Sequence, residues 1–107
     1  MVHDSHRPLD VVERQDGETT VVTLVGELDM DTVEPVQRRL DALATTRRST
    51  LLDLDELDFM DSVGIRLVLH ACELARSDDW PFRLTRGSDA VQRVFAASGL
   101  TDRLPYG

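Results

Sequence analysis

The sequence predicts a single α/β domain: one mixed β-sheet of four to five strands with helices packed on one face. Three observations carry this expectation. Strand and helix signals follow one another as strand, strand, helix, strand, helix, strand, helix, an order that suits one helical layer on one sheet. A length of 107 residues and an apolar fraction of 41% suit one hydrophobic core. The most apolar helical run, Val63 to Ala75, follows closely on the strand signal Leu51-Leu52-Asp53-Leu54. That places a strand-to-helix junction near the centre of the chain.

Residues 1–8 hold His3, His6, Arg7 and Pro8 without an apolar period and read as a flexible tail; residues 9–107 read as the domain. Leu9 to Arg14 alternates weakly and predicts a strand. Gln15-Asp16-Gly17-Glu18 carries the Asp-Gly pair of a tight turn. Thr19 to Val25 is rich in β-branched residues and is the strongest strand signal in the chain. Together they predict a hairpin whose second strand ends at Gly26. Glu27-Leu28-Asp29 then leads into a helix. Asp31 or Thr32 is its expected cap, with Asp31 and Glu34 spaced as a capping box. Pro35 falls in the first turn, where its missing N–H costs little. Val33, Val36, Leu40, Leu43 and Ala44 recur at helical spacing. Arg47 and Arg48 lie near the end of this helix, where the dipole favours cations; a phosphate-binding patch is the competing reading.

Thr50 to Leu54 predicts a third strand, parallel to the hairpin through a right-handed crossover. Asp55 to Asp58 reads as an acidic loop with Leu57 and Phe59 as apolar anchors. Met60-Asp61-Ser62 opens the long helix, with Ser62 placed as its N-cap. A hydroxyl there stands at the positive end of the helix dipole and can accept a phosphate at little cost to the fold. Arg66, His70, Glu73 and Ser77 form a polar stripe along this helix. The apolar arc is wider than a surface helix needs, which fits a central helix or one with an exposed edge used for binding. Phe82 to Thr85 is the fourth strand. Gly87-Ser88-Asp89 is a turn with a cap, Ala90 to Ser98 a third helix, and Gly99 its stop. Leu100 to Leu104 can add an edge strand.

Net charge is −8, from twenty acids against twelve bases, all of them Arg. That balance argues against nucleic acid, whose phosphates need a basic face, and against an anionic membrane surface. No apolar run approaches the roughly 20 residues that span a bilayer, and the N-terminus lacks a signal-peptide pattern. A cytoplasmic protein is the expectation. The single cysteine, Cys72, reads as a buried thiol on the long helix. His3 and His6 lack the ligand cluster a metal site needs.

Nothing in the sequence assembles into catalysis. Ser62 has no nearby base in sequence, and His70 lies two turns along the helix and reads as solvent-facing. The glycines sit singly at element ends and form no phosphate-binding spacing. A phosphoacceptor receiver domain would need a Lys, and the chain has none. The expectation is therefore a protein that is not an enzyme and holds no cofactor and no metal.

Three segments carry a resemblance. Phe59-Met60-Asp61-Ser62-Val63-Gly64-Ile65 is similar to the signature of STAS domains of the anti-sigma factor antagonist type. Leu24-Val25-Gly26-Glu27-Leu28-Asp29 resembles that family's segment after its second strand. Val91 to Leu100, V-Q-R-V-F-A-A-S-G-L, resembles its last conserved helix. All three occur in the family's order, and the STAS fold agrees with the element order read above. The resemblance implies that Ser62 is phosphorylated by an anti-sigma factor with serine kinase activity, of the histidine-kinase-like ATPase type. It implies that the unphosphorylated form binds that partner and releases the sigma factor, and that a PP2C-type phosphatase restores it. The partner-binding residues it implies are Glu27, Asp29, Asp61, Ser62, Val63, Gly64 and Arg66. Val63 stands where a second hydroxyl is common, and Arg66 where Gly is common. The alternative is a STAS domain acting without phosphorylation as a scaffold subunit of a transporter or signalling assembly. A monomer or weak dimer fits either reading.

Overall fold

A computed structural model of the chain describes residues 8–107. The expected tail thus lies almost wholly outside the described residues, and His3 and His6 with it.

The elements are β1 (Leu9–Asp16), β2 (Thr19–Leu28), α1 (Val33–Thr45), β3 (Thr50–Asp53), β4 (Leu57–Met60), α2 (Ser62–Asp78), β5 (Phe82–Leu84) and α3 (Asp89–Ala97). They form one five-stranded mixed sheet in the order β1-β2-β3-β5, with β4 also paired to β2. β1 and β2 are the expected antiparallel hairpin, in the register Val12↔Thr23. β2 is parallel to β3 along its first half and to β4 along its second. One long strand therefore serves two short ones end to end.

Three features depart from the sequence reading. β2 does not stop at Gly26 but runs on to Leu28. Its ladder with β4 shifts register between Gly26 and Glu27. Gly26 sits there at φ +119°, and a Cβ on it would lie 2.2 Å from the carbonyl oxygen of Pro8. A glycine is what lets the start of β1 approach so closely. The second departure is β4, expected as acidic loop. Leu57 and Met60 are buried as strand residues, while Phe59 is 45% exposed rather than an anchor. The third is the C-terminal segment. Leu100 to Leu104 forms turns, and it is Tyr106 that bridges Leu84 of β5.

The core is a single cluster. Val22, Leu24, Leu28, Leu52, Phe82 and Leu84 come from the sheet; Val36, Leu40 and Leu43 from α1; Leu67, Val68 and Ala71 from α2; Val91 and Phe95 from α3. Full burial of each Val, Leu or Phe contributes roughly 1.5–3 kcal/mol of transfer free energy. The central-helix reading of α2 holds along this face, while Leu69 leaves 43% of its surface in solvent.

Local chemistry finishes the elements. Ser88 caps α3 by accepting from the Val91 amide at 3.3 Å. Gly99 ends it at φ +72°, with the Leu100 amide donating back to the Phe95 carbonyl at 2.9 Å, a Schellman closure. Arg47 and Arg48 are used structurally. Arg47 Nε donates to the Asp78 carbonyl at 2.9 Å, and Arg48 Nε to Thr20 Oγ1 at 3.1 Å. Both guanidiniums are thus held by other parts of the fold, the end of α2 and the start of β2, rather than by the last turn of α1, which carries no basic residue.

Candidate functional site

The parallel pairing of β2 with β4 brings two helix entrances together. Leu28 stands opposite Met60, and the Asp61 amide donates to the Leu28 carbonyl at 3.4 Å. β2 then passes through residues 29–32 into α1, and β4 passes directly into α2. Both connections leave the carboxyl end of the sheet side by side, the edge at which open α/β sheets place their binding sites.

At the second entrance Asp61, not Ser62, is the N-cap. Its backbone is extended (φ −107°, ψ −167°), and its carboxylate accepts from the Val63 amide at 2.9 Å. Its carbonyl accepts from the amides of Gly64 at 3.0 Å and Ile65 at 3.4 Å. Ser62 is the first residue inside the helix and is exposed. The last extended residue before the helix takes the cap role, and that residue is Asp61. The Ser62 hydroxyl is left pointing to solvent beside a carboxylate, with no hydrogen bond among the described residues.

Val63 is half-buried, and Gly64 is buried. A Cβ on Gly64 would lie 2.2 Å from Met60 Cγ and 3.2 Å from Leu28 Cδ2, so α2 packs directly on the two strand ends. Arg66 is exposed, one turn beyond Ser62 on the same side of the helix.

At the first entrance Asp29 is 7% exposed. Its Oδ1 accepts from the Asp31 amide at 2.9 Å, and its carbonyl accepts from Thr32 at 3.1 Å and Val33 at 3.0 Å. Thr32 occupies the cap position of α1 but makes no side-chain bond to the helix. Its hydroxyl turns back into the loop, donating to the Glu27 carbonyl at 2.9 Å and accepting from the Asp29 amide at 3.0 Å. The expected Asp31–Glu34 capping box therefore gives way to an aspartate-centred turn, because the Asp31 amide is already taken by Asp29. Glu27 is half-buried and stands opposite Phe59 in the ladder.

Two residues at these strand ends escaped the sequence reading. Met30, at the tip of the first loop, is 75% exposed, and Phe59 is 45% exposed. Single apolar side chains in solvent are common; it is where they gather into a patch that they mark an interface. For Met30 the only available signal was an apolar residue between two aspartates in a turn. For Phe59 there was none, because its exposure follows from the register shift.

Ser62 has no hydrogen bond to a histidine among the described residues. His70, exposed as expected, does have a partner: Nε2 lies 3.2 Å from Asp41 Oδ1 on α1, so the ring faces α1. Among the described residues no group of three or more His, Cys, Asp or Glu is placed to hold a metal ion, and no helix is long and apolar enough to cross a membrane. A hollow of about 490 Å³ opens elsewhere, between the second half of α2 and residues 102–105, lined by Cys72, Arg76 and Leu104 among others. Burial pushes the Cys72 thiol above its ordinary range, and nearby Arg76 only partly offsets this.

Comparison with known proteins places this geometry. The family model described as "Mlab, STAS domain" matches residues 11–106. An anti-sigma F factor antagonist of Lysinibacillus sphaericus is 34% identical over 97 residues, covering 89% of this chain and 80% of that protein. The anti-sigma factor antagonist SpoIIAA in its unphosphorylated form superposes with a TM-score of 0.73 at 27% identity, covering 86% of this chain and 83% of that one. The Bacillus cell fate determinant SpoIIAA in the phosphorylated form gives 0.68 at 28% identity, covering 85% of each. An anti-sigma factor antagonist from Mycobacterium paratuberculosis, at 23% identity, shares the fold with a TM-score of 0.79, covering 92% of this chain and 84% of that one.

Proposed function

The chain belongs to the STAS domain family, and from that premise we propose that it is an anti-sigma factor antagonist switched by phosphorylation of Ser62. In this reading the unphosphorylated protein binds an anti-sigma factor with serine kinase activity and frees the sigma factor. The kinase then modifies Ser62, and a PP2C-type phosphatase reverses the modification. The observation that carries the reading is the state of Ser62: an exposed hydroxyl at the first turn of α2, beside a carboxylate that already holds the adjacent amide.

Phosphorylation adds about −1.5 to −2 charges. The dipole of α2 favours this by about 0.3–1 kcal/mol. Asp61 opposes it. At ~6 Å and an effective dielectric of ~20, each pair of unit charges repels by about 3 kcal/mol before screening. In the free protein the phosphate turns into solvent and the fold is unaffected. In a docked complex that escape is closed, and about 2.7 kcal/mol corresponds to a hundredfold loss of affinity. Glu27, Asp29, Val63, Gly64 and Arg66 complete the proposed partner surface. Asp29 and Gly64 set its shape from beneath, while Arg66 is placed to meet either the partner or the phosphate.

The test is a binding titration against the cognate anti-sigma factor. Ser62→Ala is expected to bind as the unmodified protein does and to accept no phosphate from the kinase and ATP. Ser62→Asp is expected to fold normally and bind at least tenfold more weakly. Equal binding by both variants would instead favour the constitutive scaffold reading.

A further inference from the structure

Two of the sheet's edges, those of β5 and β1, are finished differently. The outer edge of β5 is covered by the chain itself: the Leu84 amide donates to the Pro105 carbonyl at 3.0 Å, and the Gly107 amide to the Leu84 carbonyl at 2.9 Å. β1 closes the other side of the sheet, and among the described residues no strand pairs with its outer edge. It is eight residues long, and all but Leu9 are exposed. Val11 and Val12 leave 40% and 52% of their surfaces in solvent. The strand contains no Pro and no Lys, two residues with which sheet edges are commonly protected.

Its hydrogen-bonding phase can be read from β2. The Thr20 amide donates to the Ser49 carbonyl, away from β1. Thr20 stands opposite Gln15, so the amide and carbonyl of Gln15 face outward. By alternation, so do those of Glu13, Val11 and Leu9. An antiparallel partner strand must pair outward residues with outward residues, which limits a symmetric contact to a few registers. Centred on Glu13, it sets Glu13 against its own copy and Asp10 against Asp16. Centred on Val11, it sets Val12 against Asp10 and forms no ion pair. Centred on Val12, it sets Val12 against Val12, and Asp10 against Arg14 on both sides. These three positions lie on one face, since they stand opposite Val25, Thr23 and Val21, neighbours of the core residues Leu24 and Val22 that point the other way. They also fall in the closely spaced class of cross-strand pair, where side chains meet best. Neither Asp10 nor Arg14 has a hydrogen bond or ion pair among the described residues.

We infer that two copies of this chain associate edge to edge through β1, antiparallel about Val12, joining their sheets into one. The occupant of the edge is a second copy because the charge pattern of β1 is complementary to itself in the one register that also buries Val12. The contact is separate from Ser62, so it stands or falls independently of the switch.

Sedimentation equilibrium of the intact protein tests this. A concentration-dependent species of twice 12.0 kDa is expected. Asp10→Arg and Arg14→Asp should each be monomeric alone, because each places like charges opposite one another. Mixed in equal amounts they should form a heterodimer, since the reversed charges then meet their complements. Glu34→Arg mixed with Arg38→Asp, on the exposed surface of α1, carries the same net charges and should stay monomeric. Val11→Pro removes an outward amide without touching the β1–β2 ladder, and should be folded by circular dichroism and monomeric by sedimentation. A wild-type protein that stays monomeric at the highest concentration reached overturns the proposal. So does a mixture of the two β1 variants that stays monomeric, or a heterodimer formed equally by the α1 control pair.

Discussion

An aspartate and a serine stand together at the entrance to α2, and either residue type makes a good cap. Backbone conformation decides between them. Asp61 is extended and its carboxylate holds the Val63 amide, whereas Ser62 is already helical and its hydroxyl is free of the helix. Their substitutions should therefore separate. Asp61→Ala should lower unfolding free energy by about 1 kcal/mol, and Ser62→Ala by less than about 0.5 kcal/mol, both read as shifts in urea midpoint at constant slope. The reverse order would return the cap to Ser62. The importance of this pair was legible in the motif; its division of labour was not, because adjacent good caps cannot be ranked without φ and ψ. Cys72 was legible in kind, being expected buried and found half-buried with its thiol pushed up by that burial. It should react with iodoacetamide at pH 8 several-fold more slowly than free cysteine, followed by intact mass.

At the scale of elements, the strands and helices with strong local signals were readable. β2 is dense in β-branched residues, α1 and α3 show apolar stripes, and Ser88 and Gly99 punctuate the last helix where expected. β4 was not readable. It has four residues, two of which face solvent, and it follows an acidic turn. Its strand character comes from pairing with the far half of β2, a contact across about thirty residues of sequence that no local pattern encodes. The same pairing explains why β2 overruns Gly26, and it sets Leu28 and Met60 beneath α2. Gly64 marks that junction, with no room for a methyl group above Met60. Gly64→Ala should cost about 1–3 kcal/mol through overpacking, even though alanine is the better helix former. A stability gain in thermal or urea unfolding would mean that Met60 moves aside freely.

At the scale of the molecule, a charged pair ties the hairpin to the helical layer. Arg39 on α1 donates from Nη2 to Glu13 Oε1 on β1 at 2.9 Å and from Nε to Oε2 at 2.5 Å. That bidentate hydrogen bond holds the Glu13 carboxyl below the ordinary glutamate range, against a smaller opposing effect of partial burial. The sign follows. A carboxyl whose folded value lies below its unfolded value binds protons more readily in the unfolded chain, so acid favours unfolding. The stabilisation is fully present above the unfolded value of about 4.3 and is lost as pH falls through the lower, folded value. Both side chains keep contact with solvent, 44% of Arg39 and 28% of Glu13, which limits the pair to about 0.2–1 kcal/mol. Glu13→Gln should therefore be less stable than the parent by that amount at pH 7. The gap should narrow below about pH 4.3 and vanish once Glu13 is protonated in the folded protein. High salt at pH 7 should shrink it as well, through screening. A gap that persists unchanged into acid would show that the pair contributes through packing of the two side-chain stems rather than through charge.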